Sequence, residues 1–224
     1  MYDRVFMKVV QLGKIIILCV LSAACNAALS HLVINVARLP LYQDTVFTIA
    51  MCFSAGLFAG LLTGAFSSLC IAFVVYGYIL GNFFPRVGYI FYICVIVEVL
   101  LVCFFHNKMK KHEAVFLQKP SLQSFVTVAP LLLGLVALDC IAVSLTGGII
   151  DYALVIHRVP RGISPEDTFK LGLLWNGVPL LAASILSRIP INIVDRFIVI
   201  FGGYGISLLF RKWINKFISR PLSN

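Results

Sequence analysis

Two carboxylates lie where the sequence is most apolar: Glu98 inside "VIVEVLLV" and Asp139 inside "VALDCIAV". A charge at membrane depth is costly unless it is paired, protonated or turned toward a wet cavity, so such residues point to function by default. No lysine or arginine falls deep within a predicted span, so neither acid has an intramembrane cation to meet. They serve either as protonated hydrogen-bonding groups or as the lining of a polar pocket. Two further acids open apolar runs after a proline: Asp44 in "LPLYQDTVFTIA" and Asp195 in "IPINIVDRFIVI". Asp44 can cap a helix, and Asp195 in a first turn suits the helix dipole.

Capping does not account for the polar company these acids keep. Arg38, Asn82, Arg86, Trp175, Asn176, Arg188, Asn192 and Arg196 fall at the same end of the predicted bundle. Arg188 and Arg196 can pair with the acids or with lipid phosphates. The candidate binding residues are Asp44, Asn82, Glu98, Asp139, Trp175, Asn176, Asn192, Asp195 and Arg196. A carboxylate-bearing ligand would suit the arginines; a cationic one would suit Asp44, Asp139 and Asp195.

Catalysis finds no constellation. HExxH, GxSxG and the phosphate loop GxxxxGK[ST] are all missing, so energised transport would need an ATPase on another chain. The histidines are scattered, and His106 and His112 read as solvated members of a basic loop. The seven cysteines all lie in apolar runs with no CxxC and no zinc spacing, as small buried hydrophobes do. Neither a metal nor a cofactor is expected.

These side chains must be positioned by membrane helices. Of the 224 residues 61% are hydrophobic and 12% charged, and the mean hydropathy is +1.01, more apolar surface than a soluble domain of this size can bury. The apolar runs are continuous rather than alternating, which argues against a β-barrel. The net charge of +9 comes from short basic clusters such as "KMKKH" at span ends, a topological signature, with no basic aromatic face for nucleic acid.

The fold class is an all-α integral membrane protein, one domain over residues 1–224. Six spans are predicted at about 14–37, 45–63, 65–82, 87–105, 125–147 and 191–210, with a turn near Gly64 to Ser68. The first span resembles a signal peptide in composition but continues to Ala37 and reads as uncleaved. The basic residues place both termini in the cytoplasm. Between spans five and six, the segment 149–188 forms an outer lid, with a helix starting at "SPED" (Ser164 to Asp167).

Small residues offer two stripes. Ala23-x3-Ala27 and Ala24-x3-Ala28 lie on adjacent faces of span one, and Gly56-x3-Gly60-x3-Gly64 marks a second helix. Each permits close helix approach, either inside this bundle or by a separate membrane protein.

Together, "LPLYQDTVFTIA", "GLFAGLLTG" and the tail "RIPINIVDRFIVIFGGYGISLLF" resemble the substrate-binding S components of energy-coupling factor (ECF) vitamin transporters. The tail matches the Asn-x-x-Asp-[Lys/Arg] opening of their last helix through Asn192, Asp195 and Arg196. The alanine pairs Ala23/Ala27 and Ala24/Ala28 are similar to the motif that docks such proteins on a coupling subunit. Gln43, where many members are apolar, and the long 149–188 segment depart from the pattern. The resemblance implies capture of a vitamin or related small molecule by a lipid-embedded subunit. Partners would be a transmembrane coupling subunit and two ATP-binding subunits, in a bacterial or archaeal cytoplasmic membrane. The Asp44 loop would gate the site, and Trp175 would belong to its lid.

Overall fold

The computed structural model describes residues 2–72, 89–118, 121–159 and 166–219. Among them the regular structure is entirely helical. Helix α1 (Tyr2–His31) runs into a π-helical stretch, Leu32–Val36. It is followed by α2 (Val46–Ala55), α3 (Leu57–Ile71) and a 3-10 turn, Tyr89–Phe91, that opens α4 (Tyr92–Gln118). Then come α5 (Leu122–Ile156), α6 (Asp167–Trp175), α7 (Leu180–Leu186) and α8 (Ile189–Ser219). Among the described residues four helical stretches are long and apolar enough to cross a membrane: Gln11–Val36, Tyr89–Leu117, Phe125–Ile156 and Leu180–Arg211. At 1.5 Å per residue, α2 spans about 15 Å and the described part of α3 about 22 Å, against a hydrocarbon core of about 30 Å.

The reversal between α2 and α3 falls at Gly56 rather than near Gly64 to Ser68. Gly56 has φ +88°, a conformation that side chains disfavour, and its Cβ position is open. Gly60 and Gly64 stay helical because they are the close-approach residues of the resulting hairpin. A Cβ on Gly60 would meet Cys52 at 2.9 Å, and one on Gly64 would meet Val95 at 2.5 Å. The glycine stripe therefore packs inside the bundle, against α2 and α4. Other boundaries also move outward. The predicted fourth span absorbs the basic cluster as helix up to Gln118, and the fifth continues past residue 147 to Ile156, so the lid segment starts later than expected.

Contacts set the directions. Gly60 opposite Cys52 and Gly64 opposite Thr48 make α2 and α3 antiparallel. Cys19 against Ala59 and Asn26 against Ser67 make α1 and α3 parallel. Glu98 with Arg196 and Glu113 with Arg211 make α4 and α8 parallel. The main core joins α2, α4, α5 and α8 through Ile49, Phe53, Val99, Val102, Leu132, Leu135, Val199 and Ile200. Around it, Leu100, Phe104, Leu133, Ile141, Ile193 and Phe197 stay exposed, as a lipid-facing surface requires.

One residue outside the expected set nails α1 to the hairpin. Asn26, fully buried, donates from Nδ2 to Thr48 Oγ1 and Ser67 Oγ, both at 2.9 Å, and its Oδ1 accepts the Phe47 N–H at 2.8 Å. This satisfies an orphan donor in the first turn of α2, the service expected of Asp44.

Glycines in α8 test the packing. A Cβ on Gly203 would lie 2.9 Å from Ile49 side-chain atoms and from the Val46 carbonyl oxygen, whereas one on Gly205 meets nothing within 4 Å. Gly203→Ala should lower the unfolding temperature in mild detergent by overpacking worth about 1–3 kcal/mol. Gly205→Ala should be neutral or stabilising, since Ala favours a helix by about 1 kcal/mol over Gly. Equal melting of the two variants would refute the close α2–α8 contact.

Candidate functional site

Helix α8 starts at Ile189, so Arg196 sits two turns inside it and turns inward, with only 4% of its side chain exposed. This reverses the expectation that Glu98 and Asp139 lack a cation. Arg196 Nη1 lies 2.6 Å from Glu98 Oε1 on α4 and 3.9 Å from Asp139 Oδ2 on α5. Nη2 pairs with its own neighbour Asp195 and lies 3.7 Å from Asp44 Oδ1. Four carboxylates thus face one guanidinium, whose planar fork can serve several at once. Thr45 completes the centre: its Oγ1 donates to Glu98 at 3.1 Å and accepts from Arg196 at 3.3 Å. That hydroxyl is thereby committed, which explains why Thr45, the N-cap of α2, makes no side-chain cap bond.

Asp195 lies in the second turn of α8, not the first, and acts on a loop. Its Oδ1 accepts from the backbone N–H groups of Tyr42 and Gln43 and from Gln43 Nε2, each at 3.0 Å. Three donors on one oxygen hold residues 38–45 across the end of the bundle as a strap. Arg38 and Gln43 adopt φ of +54° and +46°, conformations unusual outside glycine, so the fastening has to overcome backbone strain. Gln43, the departure from the apolar pattern, is the residue that reads Asp195. Asp44 precedes the α2 cap and pairs instead with Arg196. Burial pushes its carboxyl above the ordinary range, with Arg196 opposing the shift.

Next to this centre is a second charged group. Arg188 pairs with Glu166, which also accepts the Tyr42 hydroxyl, and Arg188 lies 5.4 Å from the Phe91 ring centroid. Lys170 on α6 reaches Asp151 on α5 at 2.9 Å and Asp167 at 2.8 Å. The segment after α5 is thus anchored by Glu166 and Lys170, not by Trp175 or Asn176. Trp175 is 92% exposed and does not join the centre. Asn176 is also exposed, and its Nδ2 donates to the Gly172 carbonyl at the end of α6. With Phe169 and Leu171 exposed on the same helix, Trp175 is suited to an interfacial anchor, where an amphipathic ring is favoured. Asn82, Arg86 and the proposed Ser164 cap lie outside the described residues.

Asn192, one turn before Arg196, is 1% exposed and donates from Nδ2 to Ser144 Oγ on α5 at 2.8 Å. Of the nine expected binding residues, the structure gathers Asp44, Glu98, Asp139, Asn192, Asp195 and Arg196. The alanine stripes separate: Ala23 and Ala27 are buried at 0% and 5%, whereas Ala24 and Ala28 are exposed beside Ile17, Val20 and Leu21.

About 22 Å further along the bundle, fifteen residues on by helical rise, α4 and α8 pair again. Arg211 Nη1 meets Glu113 at 2.8 Å, and Nη2 donates to the Phe53 carbonyl at 2.7 Å. His106 sits 3.4 Å from Glu113, a packed member of this layer and not a solvated loop residue. The equal spacing of Glu98/Glu113 and Arg196/Arg211 was available in the sequence as a signal. Among the described residues no cluster of His, Cys, Asp or Glu is suited to a metal.

Removing Arg196 tests the centre. Arg196→Met strands buried carboxylates and should cost about 3–5 kcal/mol of stability. Adding Glu98→Gln to that variant should restore part of the loss, because the two sites share one network. Additive melting shifts in detergent would contradict the pairing. Against known family models, curated proteins and solved structures, the chain finds no match.

Proposed function

We propose that the chain is the solute-binding subunit of an importer of the energy-coupling factor type, taking up a vitamin or related small molecule. One observation carries this reading: a buried polar centre, drawn from α4, α5, α8 and the Asp44 loop, lies at one end of the bundle beneath a strap. Buried polar groups gathered under a loop are what a captured solute requires, whereas a purely structural bundle would favour apolar packing there.

On this reading α1, α2, α3, α4, α5 and α8 are the six crossings, alternating in direction. The short α2–α3 hairpin is sheltered by its neighbours, and α6 and α7 lie on the outer side. The basic residues around Lys108 and Arg211 suit an opposite end, with both termini, that faces the cytoplasm, and the resemblance implies a bacterial or archaeal membrane. The strap gates solute entry. With no nucleotide motif of its own, the chain takes its energy from two ATP-binding subunits through a membrane coupling subunit. The exposed Ala24/Ala28 face of α1 is the better docking surface, since Ala23 and Ala27 already serve internal packing.

Affinity purification of the tagged full chain from its native membrane should recover a coupling protein and two ATPases. Ala24→Leu with Ala28→Leu should abolish that association without lowering the melting temperature. Recovery of the chain without ATPases but with a retained small molecule would favour a ligand-sensing membrane protein over a transporter subunit.

A further inference from the structure

The Arg196 centre holds more acceptors than its own donors can serve. Both oxygens of Asp139, a residue 0% exposed, lack a hydrogen-bond partner, and so does Asn192 Oδ1 at 1% exposure. Against these three acceptors the centre has one unpartnered donor, Arg196 Nε. Buried acceptors without donors are costly, so each calls for a donor that the centre's own side chains do not provide.

Several neighbouring donors are already in use. Thr45 Oγ1 donates to Glu98, Gln43 Nε2 donates to Asp195, and Asn192 Nδ2 donates to Ser144. Arg188, the adjacent guanidinium, is held by Glu166 through Nη2, and its Nε is a further unpartnered donor outside the centre. Glu98 stands beside Asp139, so one shared proton could serve one of the three acceptors but not the set. Asp139 and Ser144 on α5 face Arg196 and Asn192 on α8, which places the spare acceptors on a single interhelical seam.

Charge leads to the same conclusion. Four carboxylates face one guanidinium, so even with one proton shared between Glu98 and Asp139 the centre keeps an excess of acidic groups. An anionic solute would add to this and find Arg196 already engaged. A neutral solute would supply donors but no charge. A hard divalent metal lacks a suitable ligand set among the described residues and would sit against a guanidinium.

We propose that the solute bound at this centre is a small organic cation carrying N–H donors, with Asp139 and Asn192 Oδ1 as its principal acceptors. The proposal rests on the solute-binding reading above and adds the chemical class of the solute. Asp139 supplies the counter-charge, Asn192 fixes orientation, and Asp44, 34% exposed beside the strap, is the first carboxylate an entering cation meets.

The test uses the detergent-purified full chain and a panel sorted by charge: thiamine, pyridoxamine and agmatine as cations, riboflavin as neutral, biotin and pantothenate as carboxylates, and sodium chloride alone. Binding is read by calorimetry and ligand-induced melting shift. At least one organic cation should bind, and Asp139→Asn should weaken it by about tenfold or more, the loss of a charge-assisted hydrogen bond. Asp44→Asn, at a partly exposed site, should weaken it less. Melting without ligand shows whether each variant is folded. Binding confined to the neutral or carboxylate probes overturns the cation assignment and leaves the solute-binding reading intact. So does stabilisation by sodium chloride alone, or cation binding that neither substitution changes. Silence toward every organic cation also overturns it, and recovery of the ATPases then decides separately whether the solute-binding reading survives.

Discussion

A guanidinium buried to 4% exposure, with carboxylates from three chain segments around it, constrains everything near it. Taking such charges out of water costs several kcal/mol for each ion, and only good geometry with further hydrogen bonds offsets this. α4, α5, α8 and the start of α2 must therefore keep a register in which Glu98, Asp139, Arg196 and Thr45 meet. The apolar core then fills the length of bundle between this centre and the Arg211 layer. Dispersion and apolar burial hold those helices together, but they do not specify which residue stands opposite which. The charges at both ends of the α4–α8 seam do.

The same need for partners shapes the covering elements. Asp195 spends one oxygen on Arg196 and the other on three donors of the strap, so the buried centre and the overlying loop are one hydrogen-bonded unit. Tyr42 extends this unit to Glu166 and Arg188, and Lys170 ties α6 back to α5. A strap with two residues at positive φ, held by a few polar bonds and little apolar burial, belongs to the low-stability end of a fold, where opening is cheapest.

Periodicity and hydropathy were good guides to the long helices, because continuous apolar runs of that length have few other outcomes. They failed at the reversals. Gly56, Gly60 and Gly64 are equivalent in the sequence, and which one turns depends on which two meet neighbouring helices. The acids Glu98 and Asp139 were visible as anomalies, but their cation was assigned to a helix mouth because α8 starts earlier than its apolar run suggests. Asn26 drew no notice, since one amide among small residues has no sequence signature. Trp175 looked like a lid residue by proximity in the chain, while the contacts run through Glu166 and Lys170.

The sequence by itself determined that this is a helical membrane-type chain and that a few acids would need an explanation, because hydropathy and the scarcity of charge are properties of composition. It determined too that Asp44 stands at a helix entrance, whereas Asp195 proved to lie in the second turn of α8. Only the tertiary structure decided that these two converge with Glu98 and Asp139 on Arg196, that Asp195 fastens the strap, and that Asp139 and Asn192 keep acceptors to spare. The physical reason is that pairing between residues some hundred and fifty positions apart depends on interhelical register, which side-chain packing sets and local sequence does not encode.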